Sequence, residues 1–381
     1  MAHVPFTHLC RLCLLASAAS LIFPSLGSAV EFVIVGPRAV GMGGAGVAVT
    51  TDSLATYWNP AGLTQSEGLD IRAHVSGQGI DRGGVLDTLD DIDDINDSDI
   101  SAANQNRLQG LLDNLNGNSL SALAAAGLYI KGSWGDHVLG LNVSNVGTGG
   151  SFTSTPLTAV VAGGELDING QLQVNFLEAR QVALSYAYAL WEKKVSFGVT
   201  AKVIQGAAYN RGVDVDDAED DFDLSDELKN SKTSYEFGID VGALIRPVSW
   251  LQLGVVGKDL NTPSFNAPGG GTFKLRPQVR GGLALQPFSA TIVTFDVDIT
   301  KNKTLLPGIR SRVLSLGVEQ GLFEVVFLRA GVLKDVEDAK SQFTPTAGVG
   351  LRLWALQFDV GAGYDFNERG VLGSFSLGLT F

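Results

Sequence analysis

The sequence predicts an all-β protein: a 14-stranded antiparallel transmembrane β-barrel with an N-terminal hatch, or plug, segment in the lumen. Three observations predict it: a C-terminal segment of alternating polarity that ends on an aromatic residue, similar segments throughout the chain, and connections that are short and long in turn. At the C-terminus, Phe375, Leu377 and Leu379 alternate with small or polar residues as far as Phe381. This period of two gives a strand one apolar and one polar face.

Residues 1–29 have the features of a secretory signal peptide. Arg11 supplies a positive charge, LCLLASAASLIF is an apolar stretch, and the small residues at 27–29 form a cleavage site. A transmembrane anchor is the alternative, because the apolar run is about long enough to span a bilayer. A proline, four serines and the cleavage site favour the signal peptide. Cys10 and Cys13 both lie in this segment, so the exported chain has no thiol for a disulfide or a metal.

Charge and hydropathy exclude several classes of protein. The chain has 27 Lys and Arg residues against 40 Asp and Glu residues, which disfavours nucleic-acid binding because that function needs a basic surface. After the signal peptide no apolar run reaches the length of a transmembrane helix. An exported, Gly-rich and aliphatic-rich chain without such a helix can span a bilayer only as a closed barrel.

Residues 67–381 are interpreted as the barrel, because alternating segments of about ten residues separated by turns are typical of outer-membrane strands. The fourth segment keeps one parity from Leu172 to Leu190 without Gly or Pro, so we expect one long strand that projects beyond the membrane. The predicted strands are 68–79, 122–133, 137–147, 166–190, 194–208, 233–246, 248–260, 273–286, 289–301, 310–319, 323–333, 344–353, 355–365 and 371–381.

The connections alternate between short and long without exception. Because short turns of such barrels face the periplasm and long loops face outward, the C-terminus and the segment before the first strand are predicted to be periplasmic. Short connections lie near residues 133–136, WEKK, RPV, QPFS, QGLF and Trp354; long ones lie at 80–121, 148–165, 209–232, 261–272, 302–309, 334–343 and 366–370.

Two of the predicted outer loops, 80–121 and 209–232, are strongly acidic. Eight aspartates lie within 81–99, and seven acids lie within 214–223. The first loop then has leucines at helical spacing in 108–115, which predicts a short helix. The acids form either a solvated surface or a divalent-cation surface among lipopolysaccharide, and they lack the spacing of an EF-hand.

Residues 30–66 are predicted to be the hatch. The glycines of 41–46 match a GxGxxG dinucleotide motif, which requires a strand, a tight turn and a helix in a parallel unit. Pro37 and Arg38 interrupt that geometry, and we expect no NAD pool outside the cell. We therefore interpret the glycines as permitting close backbone packing in a narrow lumen. The bulky pair Tyr57 and Trp58 is followed by NPAG, which predicts a turn.

The stretch GPRAVGMGGAGVAVTTDSLATYWNPAGL resembles the N-terminal motif of the FadL-like outer-membrane transport superfamily, and it is most similar to the TraF-like and PorV-like branches. The resemblance implies a 14-stranded barrel with an N-terminal hatch in the outer membrane of a Gram-negative bacterium. By position the hatch motif maps onto Gly41, Gly43, Gly44, Gly46, Asn59, Pro60, Ala61 and Gly62.

The resemblance also suggests functions and partners. The best understood members move hydrophobic molecules across the outer membrane, whereas others act in secretion or surface attachment, and the TraF-like branch has a conjugation-related name. We expect contacts with outer-membrane lipids and lipopolysaccharide. We also expect the barrel-assembly machinery to engage the C-terminal strand that ends at Phe381.

Alternation places several charged side chains in the lumen. Reflection about the turn near Pro287 predicts ion pairs between neighbouring strands, and these pairs either brace the wall or line a pathway for polar solutes. The predicted pairs are Arg280 with Asp296, Arg276 with Asp298, and Arg352 with Asp359.

The histidines after the signal peptide, His74 and His137, stand apart from any evident nucleophile. A hydrolytic triad needs a nucleophile beside an oriented base, and a transition-metal site needs converging ligands. We therefore predict a non-enzyme without a cofactor or a metal. The favoured hypothesis is a plugged passive diffusion channel for small, mainly hydrophobic compounds. The alternative is a structural or adaptor barrel with a protein partner in secretion, surface attachment or conjugation.

Overall fold

Fourteen antiparallel strands form a closed barrel in the computed structural model, which describes residues 32–214, 233–266 and 272–381. The barrel strands are β1 (Leu69–Arg82), β2 (Ser119–Trp134), β3 (His137–Ala162), β4 (Glu165–Leu190), β5 (Val195–Asp214), β6 (Thr233–Val248), β7 (Leu251–Lys258), β10 (Gln278–Phe288), β11 (Thr291–Asp298), β14 (Val313–Leu322), β15 (Val326–Asp335), β16 (Thr344–Leu353), β17 (Leu356–Asp365) and β18 (Gly370–Thr380). Each predicted strand corresponds to one of these, so the predicted fold class is confirmed.

The first and last strands close the barrel. β1 pairs with β18 from Asp70 opposite Thr380 to Gly79 opposite Val371, and the amide of Leu69 donates to the carbonyl of Phe381 at 3.0 Å. Closure pairs both edges of the sheet, which satisfies backbone groups that hydrocarbon could not. Among the described residues, no helix has the length and apolar character that crossing a membrane requires.

Short hairpins and helices complete the structure. Two small hairpins occur in the outer connections, and helices occur in the N-terminal segment and in the first outer loop. The remaining strands are β8 (Ser264–Asn266), β9 (Thr272–Lys274), β12 (Asn302–Lys303) and β13 (Arg310–Ser311); the helices are α1 (Pro37–Gly41), α2 (Ala55–Trp58), α3 (Val85–Asp93) and α4 (Ala102–Leu115), with a 3₁₀ helix at Pro60–Gln65.

The predicted outer loop at 148–165 is wrong. β3 continues to Ala162 and turns through Gly163 and Gly164, both at positive φ, directly into β4. The pairing of β3 with β4 is irregular between Thr153 and Thr158, which accommodates Pro156 within the strand. The β3–β4 hairpin therefore projects outward, and α4 packs on it through its buried leucines.

Two other predicted loops are compared with the structure in turn. The loop predicted at 80–121 contains the ends of β1 and β2 together with both α3 and α4, so it is largely ordered. In the loop predicted at 209–232, β5 extends to Asp214, and the rest lies outside the described residues. The signal peptide at 1–29 also lies outside them.

Aromatic side chains surround the short-turn end of the barrel. Each short turn in the described chain has an exposed aromatic residue in it or at its edge, and such girdles mark a membrane interface. These residues are Trp134, Trp191, Trp250, Phe288, Phe323 and Trp354. We name the short-turn end of the barrel the periplasmic end and the opposite end the outer end, as the sequence predicts.

Candidate functional site

The N-terminal segment, residues 32–66, fills the middle of the barrel as a plug. Nearly all of its residues are buried, and they form α1, α2 and the 3₁₀ helix with short links between them. α1 packs against β16 and β17, while the 3₁₀ helix packs against β4 and β5. The predicted position of this segment in the lumen is therefore confirmed.

The glycine motif is where the plug backbone touches the wall. Gly43 has a φ of +68°, and a Cβ there would lie 2.5 Å from the carbonyl oxygen of Val332 on β15. A Cβ on Gly46 would lie 2.4 Å from the Trp58 ring. The amides of Gly46 and Val47 donate to Oδ2 of Asp296 at 2.7 and 2.9 Å. Close packing against the wall and against Trp58 explains the glycines of GMGGAG. A dinucleotide site is not needed to account for them.

The aromatic pair of the plug holds its first residues. The Tyr57 hydroxyl donates to the carbonyl of Val33 at 2.9 Å, and the Trp58 indole N–H donates to the carbonyl of Val35 at 2.8 Å. Asn59 caps the 3₁₀ helix by accepting the amide of Ala61 through Oδ1, at 3.1 Å. The YWNPAG sequence therefore fixes the internal shape of the plug.

The predicted lumen ion pairs are only partly brought together. Arg280 lies opposite Asp298, with Nε 3.4 Å from Oδ1, and is 4.0 Å from Asp296. Arg276 is exposed because β10 begins only at Gln278, after Pro277, so the structure does not pair it with Asp298.

The third predicted pair is also not formed. Arg352 lies at the exposed periplasmic end of β16, with Cζ 5.0 Å from the centre of the Phe327 ring. Asp359 instead pairs with Arg329 at 2.6 Å and with Arg72 at 3.6 Å. The prediction had the correct face for Asp359 but the wrong cations.

A chain of ion pairs joins the plug to the periplasmic half of the wall. It starts on the plug at Arg38, crosses β14, β15, β17 and β1, and returns to the plug at Asp52. Its contacts are Arg38–Glu319 at 2.7 Å, Glu319–Arg329 at 2.7 Å, Arg329–Asp359 at 2.6 Å, Asp359–Arg72 at 3.6 Å and Arg72–Asp52 at 3.3 Å. Burial alone would lower the pKa of Arg38, but Glu319 and more distant carboxylates raise it above its ordinary value.

Three buried lysines also escaped the sequence analysis. Lys131 on β2 donates to the carbonyls of Thr51, Leu63 and Ser66 at 3.0, 3.1 and 2.8 Å, so it clamps both ends of the second half of the plug. Lys202 lies 2.8 Å from both Asp240 and Asp259. The ammonium of Lys258 lies 4.7 Å from the centre of the Phe32 ring and 3.1 Å from the centre of the Tyr57 ring. The alternating pattern located the strands that contain these lysines, but it does not identify the residues that the lysines contact.

The outer mouth is partly filled by its own loops. The β8–β9 hairpin buries Phe265 and Phe273 completely against Leu177 and Ile204 of the wall. The loop between β11 and β14 adds Leu305, whose carbonyl accepts the side-chain amide of Asn175 at 2.7 Å. The lumen beside β4 and β5 is therefore covered from outside.

Three cavities of the described barrel lie on the two sides of the plug. An outer vestibule of about 370 Å³ is lined by polar residues that include Arg82, Asn118 and Glu368. Below it, an upper cavity of about 60 Å³ has carboxylates at its rim and the apolar residues Phe32, Ile34, Leu123, Leu333 and Leu372 among its lining. On the periplasmic side of the plug, the ion-pair chain surrounds a cavity of about 510 Å³.

Glu368 is the titrating group where the outer vestibule meets the upper cavity. Burial raises its pKa to about 7; the Arg82 charge opposes this shift, and the neighbouring Asp338 carboxylate adds to it. Arg82 Nε lies 3.7 Å from Glu368 and 3.8 Å from Asp338, so one guanidinium serves two carboxylates. The rim of the vestibule is therefore proton-sensitive near neutral pH.

Several solved structures share this fold at low sequence identity. The Ralstonia pickettii toluene transporter TbuX is 13% identical, with a TM-score of 0.61, over 92% of this chain and 99% of that chain. The P. putida toluene transporter TodX is 12% identical, with a TM-score of 0.59, over 91% and 98%. The CymD monoaromatic hydrocarbon channel is 15% identical, with a TM-score of 0.58, over 93% and 99%. These likenesses establish the shared fold.

Sequence comparison adds the family. No curated protein matches the chain. One family model matches residues 56–298, from α2 of the plug to β11, which is more than half of the chain. On that match, the chain belongs to the family described as "F plasmid transfer operon, TraF, protein".

Proposed function

We propose that this protein is a plugged passive diffusion channel for small, mainly hydrophobic compounds in the bacterial outer membrane. The observation that carries the proposal is the upper cavity, because its apolar lining lies directly beneath an opening in the outer face of a closed barrel. The cavity combines these apolar residues with an arginine and four carboxylic acids, and apolar lining together with placed polar groups is typical of small-molecule sites. The structural neighbours TbuX and TodX are described as toluene transporters, which supports the same class of cargo.

In this proposal the compound enters from the outer vestibule and moves down its concentration gradient. The plug decides passage, because it occupies the full middle of the lumen and contacts the wall on all sides. The barrel performs no chemical step and needs no cofactor. Lipopolysaccharide and other lipids surround the apolar outer wall, and the C-terminal strand serves barrel assembly.

Uptake of a hydrophobic fluorophore by intact cells tests the proposal. Cells that produce the protein are compared with cells that produce a deletion of residues 36–62, using N-phenyl-1-naphthylamine, which fluoresces once it passes the lipopolysaccharide layer. We expect the deletion to raise the uptake rate about tenfold, since it removes the obstruction that fills the lumen. Equal uptake by both strains, with equal amounts of folded barrel, would count against control by the plug.

The family match favours a second candidate, a structural or adaptor barrel. An adaptor barrel needs a surface for a protein partner. The β3–β4 hairpin, with its tip at Gly163 and Gly164, projects outward and offers such a surface. A photo-crosslinker at Gly164 would give a stoichiometric protein adduct in cells if the barrel is an adaptor. The same crosslinker at Gly135, in a short turn, is the control. Absence of an adduct together with plug-dependent uptake favours the channel.

A further inference from the structure

The outward face of β11 changes from apolar to cationic near the outer end of the barrel. Phe295 and Ile299 are 38% and 53% exposed, whereas the lumen-facing residues that alternate with them are buried. The same alternation continues beyond the strand, where Lys301 and Lys303 are exposed on either side of the buried Asn302. Both lysines therefore stand on the face that the apolar wall residues share.

The neighbouring segment repeats this change. Leu316 on β14 lies opposite Phe295 and is 48% exposed. Arg312 and Arg310 precede it at even spacing, and Ser311 between them is buried, so both arginines also face outward. We call the four outward cations the cationic band; its members are Lys301, Lys303, Arg310 and Arg312.

The cationic band lies where the lipid headgroups of a bilayer would lie. β11 begins at Thr291, at the periplasmic end, and Lys301 follows ten residues later. A rise of roughly 3.3 Å per residue and a strand tilt of about 40° place Lys301 roughly 25 Å above Thr291. The apolar belt of outer-membrane barrels is about 25 Å tall. The four cations therefore begin where that belt ends.

The β12–β13 ladder holds like charges side by side. Lys303 is paired directly with Arg310. Directly opposite side chains in such a ladder have Cβ atoms roughly 5 Å apart, and like charges at these positions are destabilising. Residues 301–312 contain four cations and no acid, although the whole chain has more acids than bases. The local excess of positive charge indicates that the compensating anion comes from outside the chain.

Neighbouring groups compensate only part of the cationic band. Lys301 lies 3.0 Å from Glu337, and Arg312 donates through Nε to a backbone carbonyl at 3.0 Å. Lys303 and Arg310 form no side-chain hydrogen bond or ion pair with any residue that the structure describes. Both are exposed, and Arg310 also lies at the edge of the outer vestibule. These two side chains are therefore available to a ligand.

We propose that the cationic band is a binding site for the phosphorylated headgroup of lipopolysaccharide. The inference rests on the outer-membrane placement in the proposed function, and it adds a lipid site on the outside of the barrel. Lipid A, the membrane anchor of lipopolysaccharide, has phosphate groups on a sugar headgroup above its acyl chains. Cations at the level of the headgroups attract anionic lipid.

The position of the cationic band favours lipopolysaccharide over a soluble anion. The exposed side chains of Ile299 and Leu316 lie directly below the cations, where acyl chains of a bound lipid would contact them. A free phosphate gains nothing from such an apolar surface. Guanidinium groups bind phosphate bidentately and an ammonium binds it as a point charge, and Arg310 and Lys303 supply one of each.

Native mass spectrometry of the purified full-length barrel with defined lipids tests this site. The probes are lipid A with two phosphates, lipid A with one phosphate and the same acyl chains, and phosphatidylglycerol. We expect the wild type to bind the diphosphorylated form about tenfold more tightly than either of the others. In K303Q/R310Q this preference should fall to near one, because the available cations are gone.

Two further variants separate the site from total charge and from folding. K194Q/R352Q removes two exposed cations at the periplasmic end and should keep the preference. K303E places opposite charges across the β12–β13 ladder, so it should lose the preference without lowering the thermal unfolding midpoint in lipid-free detergent. Loss of binding in K303E is then not a result of unfolding.

The outcomes are distinct from those of the channel proposal. A preference that K303Q/R310Q retains, an equal loss in K194Q/R352Q, or phosphatidylglycerol bound as tightly as diphosphorylated lipid A would overturn the site. If fluorophore uptake still depends on residues 36–62, the channel proposal survives that result. A lipid A preference that depends on Lys303 and Arg310 supports the site even if uptake is independent of the plug.

Discussion

The plug meets the periplasmic half of the lumen through ion pairs and the outer half through aromatic rings that face cations of the wall. On the periplasmic side the ion-pair chain from Arg38 to Asp52 surrounds a cavity of about 510 Å³. On the outer side Phe32 lines a cavity of about 60 Å³, and Tyr57 lines another of about 50 Å³. We interpret this difference as two separate roles. The ion pairs hold the plug in place, and the outer half of the lumen determines which compounds can reach the plug.

The largest expected effect is loss of the central carboxylate of the ion-pair chain. Glu319→Gln removes the partner of Arg38 and one partner of Arg329, and breaking a buried pair costs about 3 kcal/mol. We expect the plug to loosen while the barrel stays closed. Hydrogen exchange by mass spectrometry should show faster exchange within residues 36–50.

Arg352→Met is the control for that variant. Arg352 lines the same cavity but is exposed at its edge, so its replacement should leave exchange of the plug unchanged. Equal effects of the two variants would show that the ion-pair chain does not hold the plug. The charged half would then need another role.

The close contact of the glycine motif gives the next effect. Gly46→Ala would place a Cβ within 2.4 Å of the Trp58 ring, and overpacking of a filled core costs about 2 kcal/mol. Thermal unfolding followed by circular dichroism should show a lower midpoint. Gly110→Ala is the matched control, since its Cβ meets nothing within 4 Å on α4, where alanine is the better helix former. A lower midpoint for both would argue against a specific contact at Gly46.

Sequence patterns predicted the features that depend on a single strand or segment. Alternation located the strands, and the glycines of 41–46 indicated close packing of a plug. The pair of Asp359 with Arg72 joins β17 to β1 across β18, so it exists only once the barrel has closed. The contacts of Lys131 depend likewise on where the plug lies. A periodic pattern assigns a side chain to a face, but it does not identify which distant strand or segment stands opposite.

Lys131 gives a smaller effect and tests whether neutral groups also hold the plug. Lys131→Met removes the donor to the carbonyls of Thr51, Leu63 and Ser66; only the Leu63 contact is fully buried, and one buried acceptor left unpaired costs about 1 kcal/mol. Local exchange should rise within residues 51–66 while residues 36–50 keep their protection. A rise confined to 36–50 would contradict the clamp and would place the effect on the ion-pair chain instead.

The smallest expected effect lies at the outer rim, where Glu368 has a pKa raised to about 7 by burial and by Asp338, against the opposing charge of Arg82. The folded protein holds this proton more tightly than the unfolded chain, whose glutamate has the ordinary value of 4.5. Its contribution to stability is therefore complete below about pH 4.5 and is lost as the pH rises through 7. Because the rim is partly open to solvent, we expect a difference of only about 1 kcal/mol. Glu368→Gln should flatten this part of the dependence when unfolding midpoints at pH 5 and pH 8 are compared. An unchanged slope in the variant would mean that Glu368 does not titrate in this window, and that the outer half of the lumen is no more sensitive to protons than the charged half.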